Sequence, residues 1–398
     1  MTSFGHTLNP SRIQRERVQQ RAERSHEVIS FNPSSAKPGD TINIRIPRLN
    51  RDTVIVPGTM KMVFDIKLSG HANNLLTANA ARAICRRVED SLGGVVIQNL
   101  DFHNMLRTYQ DLWIPKTTRK NNPLHGYDSA QRVKADVKAV YGTKTCIPMD
   151  LEVWTEHGPL YPYALTEDFN REIKLEEVNR VVKTGTGGNT TNWDYELNNI
   201  EMEYDTVHCP ELARMIANDY SNGIQFFYPH WSHLRTMSTG TDKTLNINVN
   251  SPRLSMKGVL ILFEETFTNG AFDSEKFSNP KITKANVTVE GVSYKIYKRG
   301  YQQRHLYEEA CRHFKKSEQE SLVDVESFFT DKFGLWIDLR YIEENNLHIT
   351  GLNLQNTKDG VQIELERGTT TDFKMHIFVA SDAALTIQDY KFKEVFYK

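Results

Sequence analysis

An all-β chain in two strand-rich halves, each built as a sandwich or jelly roll, is the fold class this sequence predicts. Three observations carry it. Apolar and polar residues alternate with period two in one segment after another. In the body of the chain, helices are few, and two are read, at 210–220 and 306–314. No strand–helix–strand rhythm is found, which sets aside Rossmann and TIM-barrel architectures.

The elements follow in order. Residues 1–29 form a charged arm in which Arg12, Arg15, Arg17, Arg21 and Arg24 are interleaved with Glu16, Glu23 and Glu27. Its few apolar residues (Ile13, Val18, Ala22) suit a helix that needs a partner to be stable. The arm is either a frayed terminus or a segment that orders against a neighbour, a membrane or nucleic acid. The first half, 30–209, opens with Thr41-Ile42-Asn43-Ile44-Arg45-Ile46, whose isoleucines share one face. Met60, Met62, Phe64, Ile66 and Leu68 then define a strand with one wet face carrying Val63. Further strands are expected at 95–100, 149–154, 172–175 and 195–204. In the last, Asn198-Asn199 shifts the apolar register, which predicts a bulge. Cys209-Pro210-Glu211 starts a linker helix over 210–220, since proline and an early acid suit a first turn, and Ser221-Asn222-Gly223 ends it. The second half, 221–398, carries strands at 245–249, 258–263, 285–292, 335–339, 361–365, 373–379 and 384–387. One amphipathic helix interrupts them, with Leu306, Tyr307, Ala310, Cys311 and Phe314 on its apolar face.

Length and charge bound the function. A chain of 398 residues fits one large or two medium domains. With 49 Lys+Arg against 50 Asp+Glu, it lacks the bulk positive charge of a protein that coats nucleic acid. A mean hydropathy of −0.54 and the lack of any apolar run near ~20 residues exclude a membrane-spanning helix. The first residues show no secretory signal, so the chain is expected to be made and kept inside a cell. Cys85, Cys146, Cys209 and Cys311 lie too far apart for a zinc motif and read as reduced, mostly buried thiols.

The search for chemistry returns little. Gly185-Thr-Gly187-Gly188 lacks the Gly-Lys-Ser/Thr ending of a phosphate loop and reads as a loop tip. Asp150 and Glu152 share a strand face, but the next residue on it is Trp154, not a third acid or a lysine. His230, His233 and His305 come without an acidic or cysteine partner at ligand spacing. The basic clusters Lys116–Lys120 and Lys391-Phe392-Lys393 are small, and a solvated surface explains them. No catalytic residue, metal ligand or cofactor is assigned.

Several phrases, met in order, carry a resemblance. In the second half they are SPRLSMKGVLILFEE (251–265), FGLWIDLR (333–340), LHITGLNLQNTKDGVQIELE (347–366) and SDAALTIQDYKF (381–392). In the first they are KPGDTINIRIPRL, GTMKMVFDIKL, LYPYALTEDFNREIKLEEV and YELNNIEMEYDTV. From about residue 30 onward the chain resembles the double jelly-roll major capsid proteins of the Polinton (Maverick) and adintovirus type, in the lineage of adenovirus hexons. The resemblance implies two eight-stranded jelly rolls in tandem, a homotrimer with a pseudo-hexagonal footprint, and a lattice of trimers forming an icosahedral virion shell. It implies assembly inside the host cell, nucleus or cytoplasm. Penton and minor capsid proteins would be partners, and the arm would lie at the capsid base near membrane or genome. The long polar stretches 115–147, 182–193 and 266–281 would be outer decorations or trimer-locking elements. Val63 would be available for packing between barrels. Two other classes remain open on the residues alone. A carbohydrate-binding sandwich would use Trp154, Trp193 or Trp231 as an exposed platform; a β-sandwich hydrolase would use Asp150, Glu152 and histidines.

Overall fold

The computed structural model describes residues 23–31, 33–121, 144–148, 159–294, 300–341 and 350–396. The expected strand over 149–154, with Asp150, Glu152 and Trp154, lies outside them, as do Arg12, Arg15, Arg17 and Arg21. The first half contributes β1 (Glu23–Ser30), β2 (Thr41–Arg45), β3 (Thr53–Ile55), β4 (Lys61–Ser69), β5 (Asn74–Leu76), β6 (Cys85–Leu92), β7 (Val95–Asp101), β8 (Lys144–Pro148), β9 (Phe169–Leu175), β10 (Val182–Thr184) and β11 (Asp194–His208). Its helices are α1 (Ala80–Ala83), α2 (His103–Asp111), α3 (Lys116–Asn121) and α4 (Val178–Val181), and α5 (Pro210–Asn222) leads out of it. The second half contributes β12 (Ile224–Ser238), β13 (Thr244–Val249), β14 (Met256–Glu265), β15 (Ile282–Val289), β16 (Val292–Ser293), β17 (Tyr301–Gln302), β18 (Gly334–Asp338), β19 (Val361–Arg367), β20 (Phe373–Gln388) and β21 (Lys391–Phe396). Its helices are α6 (Gln303–Phe314) and α7 (Val325–Thr330).

The pairing is antiparallel and repeats. In the first half one sheet runs β1-β11-β4-β8 and the other β2-β9-β6-β7. In the second, one runs β12-β20-β14-β18, and the other runs β13-β19-β15 with β16 and β17 on the free edge of β15. If eight strands of either half are counted in chain order (β1, β2, β4, β6, β7, β8, β9, β11, then β12, β13, β14, β15, β17, β18, β19, β20, with the two-residue β17 taken as the edge partner of β15), both orders read 1-8-3-6 and 2-7-4-5. The same wrapping is therefore made twice, with the last strand beside the first.

Local chemistry explains the elements. In β2, Ile42 and Ile44 are buried while Thr41, Asn43 and Arg45 are exposed, the period-two pattern of a half-wet strand. The bulge in β11 falls where the register shifts between Asn198 and Glu201. Asn199 sits there at φ 52°, a left-handed conformation that asparagine tolerates. Helix α5 carries Pro210 in its first turn, buries Leu212, Ala213 and Tyr220, and stops at Gly223, whose φ is 100°.

Four readings change. The helix read for the arm gives way, over its described end, to β1, paired along its whole length with β11. The strands expected at 373–379 and 384–387 are one strand, β20. Its polar interruption is satisfied, because Asp382 pairs with Lys257 at 2.6 Å and accepts from Ser255 Oγ at 2.7 Å. Val63 is buried, opposite Cys146 of β8, on the face away from the first core. The start of the polar stretch 115–147 is not an extended decoration but the helix α3, Lys116–Asn121.

The hydrophobic cores cross the division of the chain. The first gathers Ile44, Met62, Phe64, Ile173 and Leu197 with Phe226, Tyr228, Ala383, Leu385 and Ile387 from the second half. The second gathers Val259, Phe263, Trp336 and Phe378 with Leu106, Tyr109, Leu112 and Trp113 from the first. Each half thus completes the other's interior. Cys85, Cys146 and Cys209 are buried, Cys311 is half-buried, and all four are free thiols. No helix among the described residues is long and apolar enough to cross a membrane.

Candidate functional site

The feature that organises the molecule is the seam between the halves. Helix α2 presents Met105, Leu106 and Tyr109 at helical spacing, and the turn after it adds Leu112 and Trp113. Tyr109 is fully buried. Its ring contacts Phe277 and Phe314 edge-on at 5.3 Å and lies over Gly334 of β18, where a Cβ would meet the ring at 2.4 Å. Glycine is required there because the aromatic ring occupies the space of a side chain.

Polar contacts fix the seam's register. Arg180 donates to both carboxylate oxygens of Glu264 at 2.7 Å, with both side chains nearly buried. Arg119 pairs with Glu275, also buried, and donates to the Asp111 carbonyl at 2.9 Å. Burial raises the Glu275 carboxyl pKa, and Arg119 opposes that shift. Thr77 Oγ1 exchanges hydrogen bonds with the hydroxyl and amide of Ser274, and the Thr184 amide donates to the Gly270 carbonyl at 2.9 Å. Tyr228 donates to the Ile97 carbonyl at 3.0 Å, and Gln98 to the Trp231 carbonyl at 2.5 Å. The stretches 182–193 and 266–281 therefore help to join the halves.

A ring cluster lies beside the seam. Phe102 holds φ 53°, rare for a bulky residue, with the Arg86 guanidinium 3.7 Å from its ring centroid. His376 and His233 pack on the same ring at 4.5 and 4.8 Å, and Thr236 Oγ1 lies 3.1 Å from His376 Nδ1. Burial keeps both imidazoles neutral. The His233 pKa falls to about 4, with Arg86 adding to the fall and Asp101 opposing it, and that of His376 falls well below 6.5.

The residues singled out from sequence take structural places. Arg24 pairs with Asp205 on the exposed strand β1, and His26 Nδ1 lies 2.8 Å from the same carboxylate. His230 is buried, and His305 Nδ1 accepts from the Gln302 amide at 3.1 Å as part of a helix cap. Trp231 is buried and Trp193 packs against the first core, so neither offers an exposed platform. In the 116–120 cluster Arg119 is buried and Lys116 pairs with Glu320. Lys393 pairs with Asp389 at 3.3 Å. The glycine-rich tip is pinned, since the Gly185 amide donates to the Asn73 carbonyl at 3.0 Å. No group of three metal-ligating side chains occurs among the described residues. Sequence reasoning missed α2, although Met105, Leu106, Tyr109, Leu112 and Trp113 recur at helical spacing that would have flagged it.

The fold of two tandem barrels is also found in solved structures. The chain matches the PBCV-1 virus capsid protein with a TM-score of 0.65 and 13% identity, covering 95% of this chain and 97% of that one. The double jelly roll is its fold. The Sputnik virophage structure matches with a TM-score of 0.59 and 11% identity over 94% of this chain and 88% of that one. The mavirus major capsid protein matches with a TM-score of 0.54 and 11% identity over 94% and 90%. No protein-family model matches the chain, and neither does any curated protein. The tandem double jelly roll expected from the resemblance is thus the observed fold.

Proposed function

We propose that this chain is a structural major capsid protein, a tile of a virion shell, and not an enzyme. The observation that carries the reading is the pair of equivalent eight-stranded barrels fused by a buried seam, a fold shared with capsid proteins of PBCV-1, Sputnik and mavirus. A tile must keep a fixed outline while its neighbours press on it, and a seam built on buried ion pairs and an interlocked aromatic ring supplies that rigidity.

Three copies would place six barrels around one axis, giving a pseudo-hexagonal footprint that packs into an icosahedral lattice. The ordered phrases of the sequence favour the Polinton and adintovirus branch, and through it kinship with hexons. In this reading 30–209 and 221–398 supply the two barrels, 210–220 links them, and the arm, 1–29, adds β1 to the first barrel. The rest of the arm, with Arg12, Arg15, Arg17 and Arg21, would lie at the capsid base, against membrane, genome or minor proteins, and pentons would close the vertices. Assembly inside the host cell, and contacts between trimers that are polar and correctable, belong to the same proposal.

Mass photometry of the purified protein tests it. Three chains of 45.9 kDa give an expected species at 137.7 kDa, with hexagonal outlines by negative stain. A persistent monomer retained on a glycan column would sink the capsid reading in favour of a carbohydrate-binding one.

A further inference from the structure

The seam joins one edge of each barrel. The edge of β7 lies against that of β12, where Tyr228 donates to the Ile97 carbonyl at 3.0 Å and Gln98 to the Trp231 carbonyl at 2.5 Å. Since the same wrapping is made twice, both edges recur once more in the chain. In the shared strand count β1 corresponds to β12, and the edge formed by β16 and β17 corresponds to β7.

Register fixes the first correspondence residue by residue. Val28 lies opposite Glu203, which lies opposite Lys61 at the start of β4. His230 lies opposite Ser381, which lies opposite Met256 at the start of β14. His230 and Val28 therefore hold the same station, as do Tyr228 and His26, and Phe226 and Arg24. Phe226, Tyr228 and His230 are buried, whereas Arg24, His26 and Val28 are exposed; His230 is 6% exposed and Val28 51%. The three residues of each strand share one face. On β12 that face sends Phe226 and Tyr228 into the core of the other barrel. On β1 it points away from the first core, because the adjacent Ile29 is the residue that packs there.

The second correspondence rests on the turns. Leu92 faces Val95 across Gly93-Gly94, and Val289 faces Val292 across Glu290-Gly291, each a two-residue turn with both φ positive. Each edge then runs into a helix, α2 after β7 and α6 after β17. Ile97 and Leu100 of β7 are buried, whereas Val292 and Ser293 of β16 and Gln302 of β17 are exposed. We propose that the bare β1 edge of one copy packs against the bare β16–β17 edge of a second copy, as β12 packs against β7 within the chain. A joint between unlike surfaces is head to tail, so each copy keeps one free edge until a ring closes. Closure at three copies rests on the capsid reading above.

The test is mass photometry of full chains carrying Val28→Glu or Ser293→Glu, each of which spoils one side of the joint. Both sites are exposed in the single chain, so folding should tolerate the changes. Each variant alone should shift from 137.7 kDa to 45.9 kDa. Co-expressed, the two share one sound joint, and two chains of 45.9 kDa give an expected species at 91.8 kDa that cannot close. A joint of like surfaces would not be rescued in this way. Should either variant misfold, chains with the milder Val28→Cys and Ser293→Cys decide. Co-expressed and treated with a short bismaleimide, they should yield a covalent dimer above the level that either gives alone, and its absence overturns the joint. Trimers that persist in both glutamate variants, or co-expression without the 91.8 kDa species, also overturn it and leave the capsid reading standing. A wild-type chain that stays at 45.9 kDa overturns both.

Discussion

Arg180 and Glu264 come from different halves, and each removes the other's desolvation cost through two hydrogen bonds of 2.7 Å. Removing one member strands the other in a site with little water. Arg180→Ala should therefore cost about 3–5 kcal/mol, whereas an exposed pair such as Lys393–Asp389 should cost less than ~1 kcal/mol. Urea denaturation of the two variants checks the contrast, and equal effects would refute the role given to the seam pair. His233 supplies a second prediction at this scale. Its folded pKa of about 4 lies below the ordinary 6.5, so the unfolded chain binds more protons as the pH drops through 6.5. The stability held above pH 6.5 is lost progressively towards pH 4, by an amount on the order of 2 kcal/mol once its partial exposure is discounted. His376, buried beside it and beside Arg86, Arg180 and Lys374, acts in the same direction. Melting curves at pH 7, 6, 5 and 4.5 should show the decline, and His233→Phe, which keeps a ring on Phe102, should reduce it while His376 keeps part of it. A wild-type profile level across this range would contradict the assignment.

Among the elements, those that obey a single rule were legible in the sequence and those that borrow from a distance were not. The isoleucines of β2, the asparagine bulge of β11 and the proline start of α5 each follow from neighbours in the chain. By contrast, β6 is not among the strands expected from the sequence, because its charged residues are satisfied only across strands, as in the buried bidentate contact from Arg171 to Asp90 at 2.6 and 2.7 Å. Strand β12 carries Pro229, which sits on a sheet edge where its missing N–H costs nothing. The candidate site was legible only in outline. The seam is assembled from residues such as Tyr109 and Gly334, 225 positions apart, which no local pattern joins. Helix α2 depends on that glycine. In Gly334→Ala the new Cβ would strike the Tyr109 ring, and overpacking of this kind typically costs about 1–3 kcal/mol. Thermal melting of the variant should show the loss, and the double variant Gly334→Ala with Tyr109→Leu should recover part of it. Failure of Gly334→Ala to destabilise would mean that the helix does not depend on this contact.

For the whole molecule, shared cores mean that neither barrel is a closed folding unit. Calorimetry of the full chain should give one transition with equal calorimetric and van't Hoff enthalpies. Two resolved transitions would show that the barrels unfold separately. The crossing of the cores also sets an order in time. The first barrel's interior includes Ala383, Leu385 and Ile387, which are made well after the rest of that barrel, and α2 awaits Gly334. At ~5–20 residues per second, the 225 positions from Tyr109 to Gly334 represent roughly ten to forty-five seconds in which an apolar helix face has no final seat. Until residue 387 has emerged, the nascent first barrel keeps part of its apolar interior open, so a product interrupted before that point lacks its finished outline.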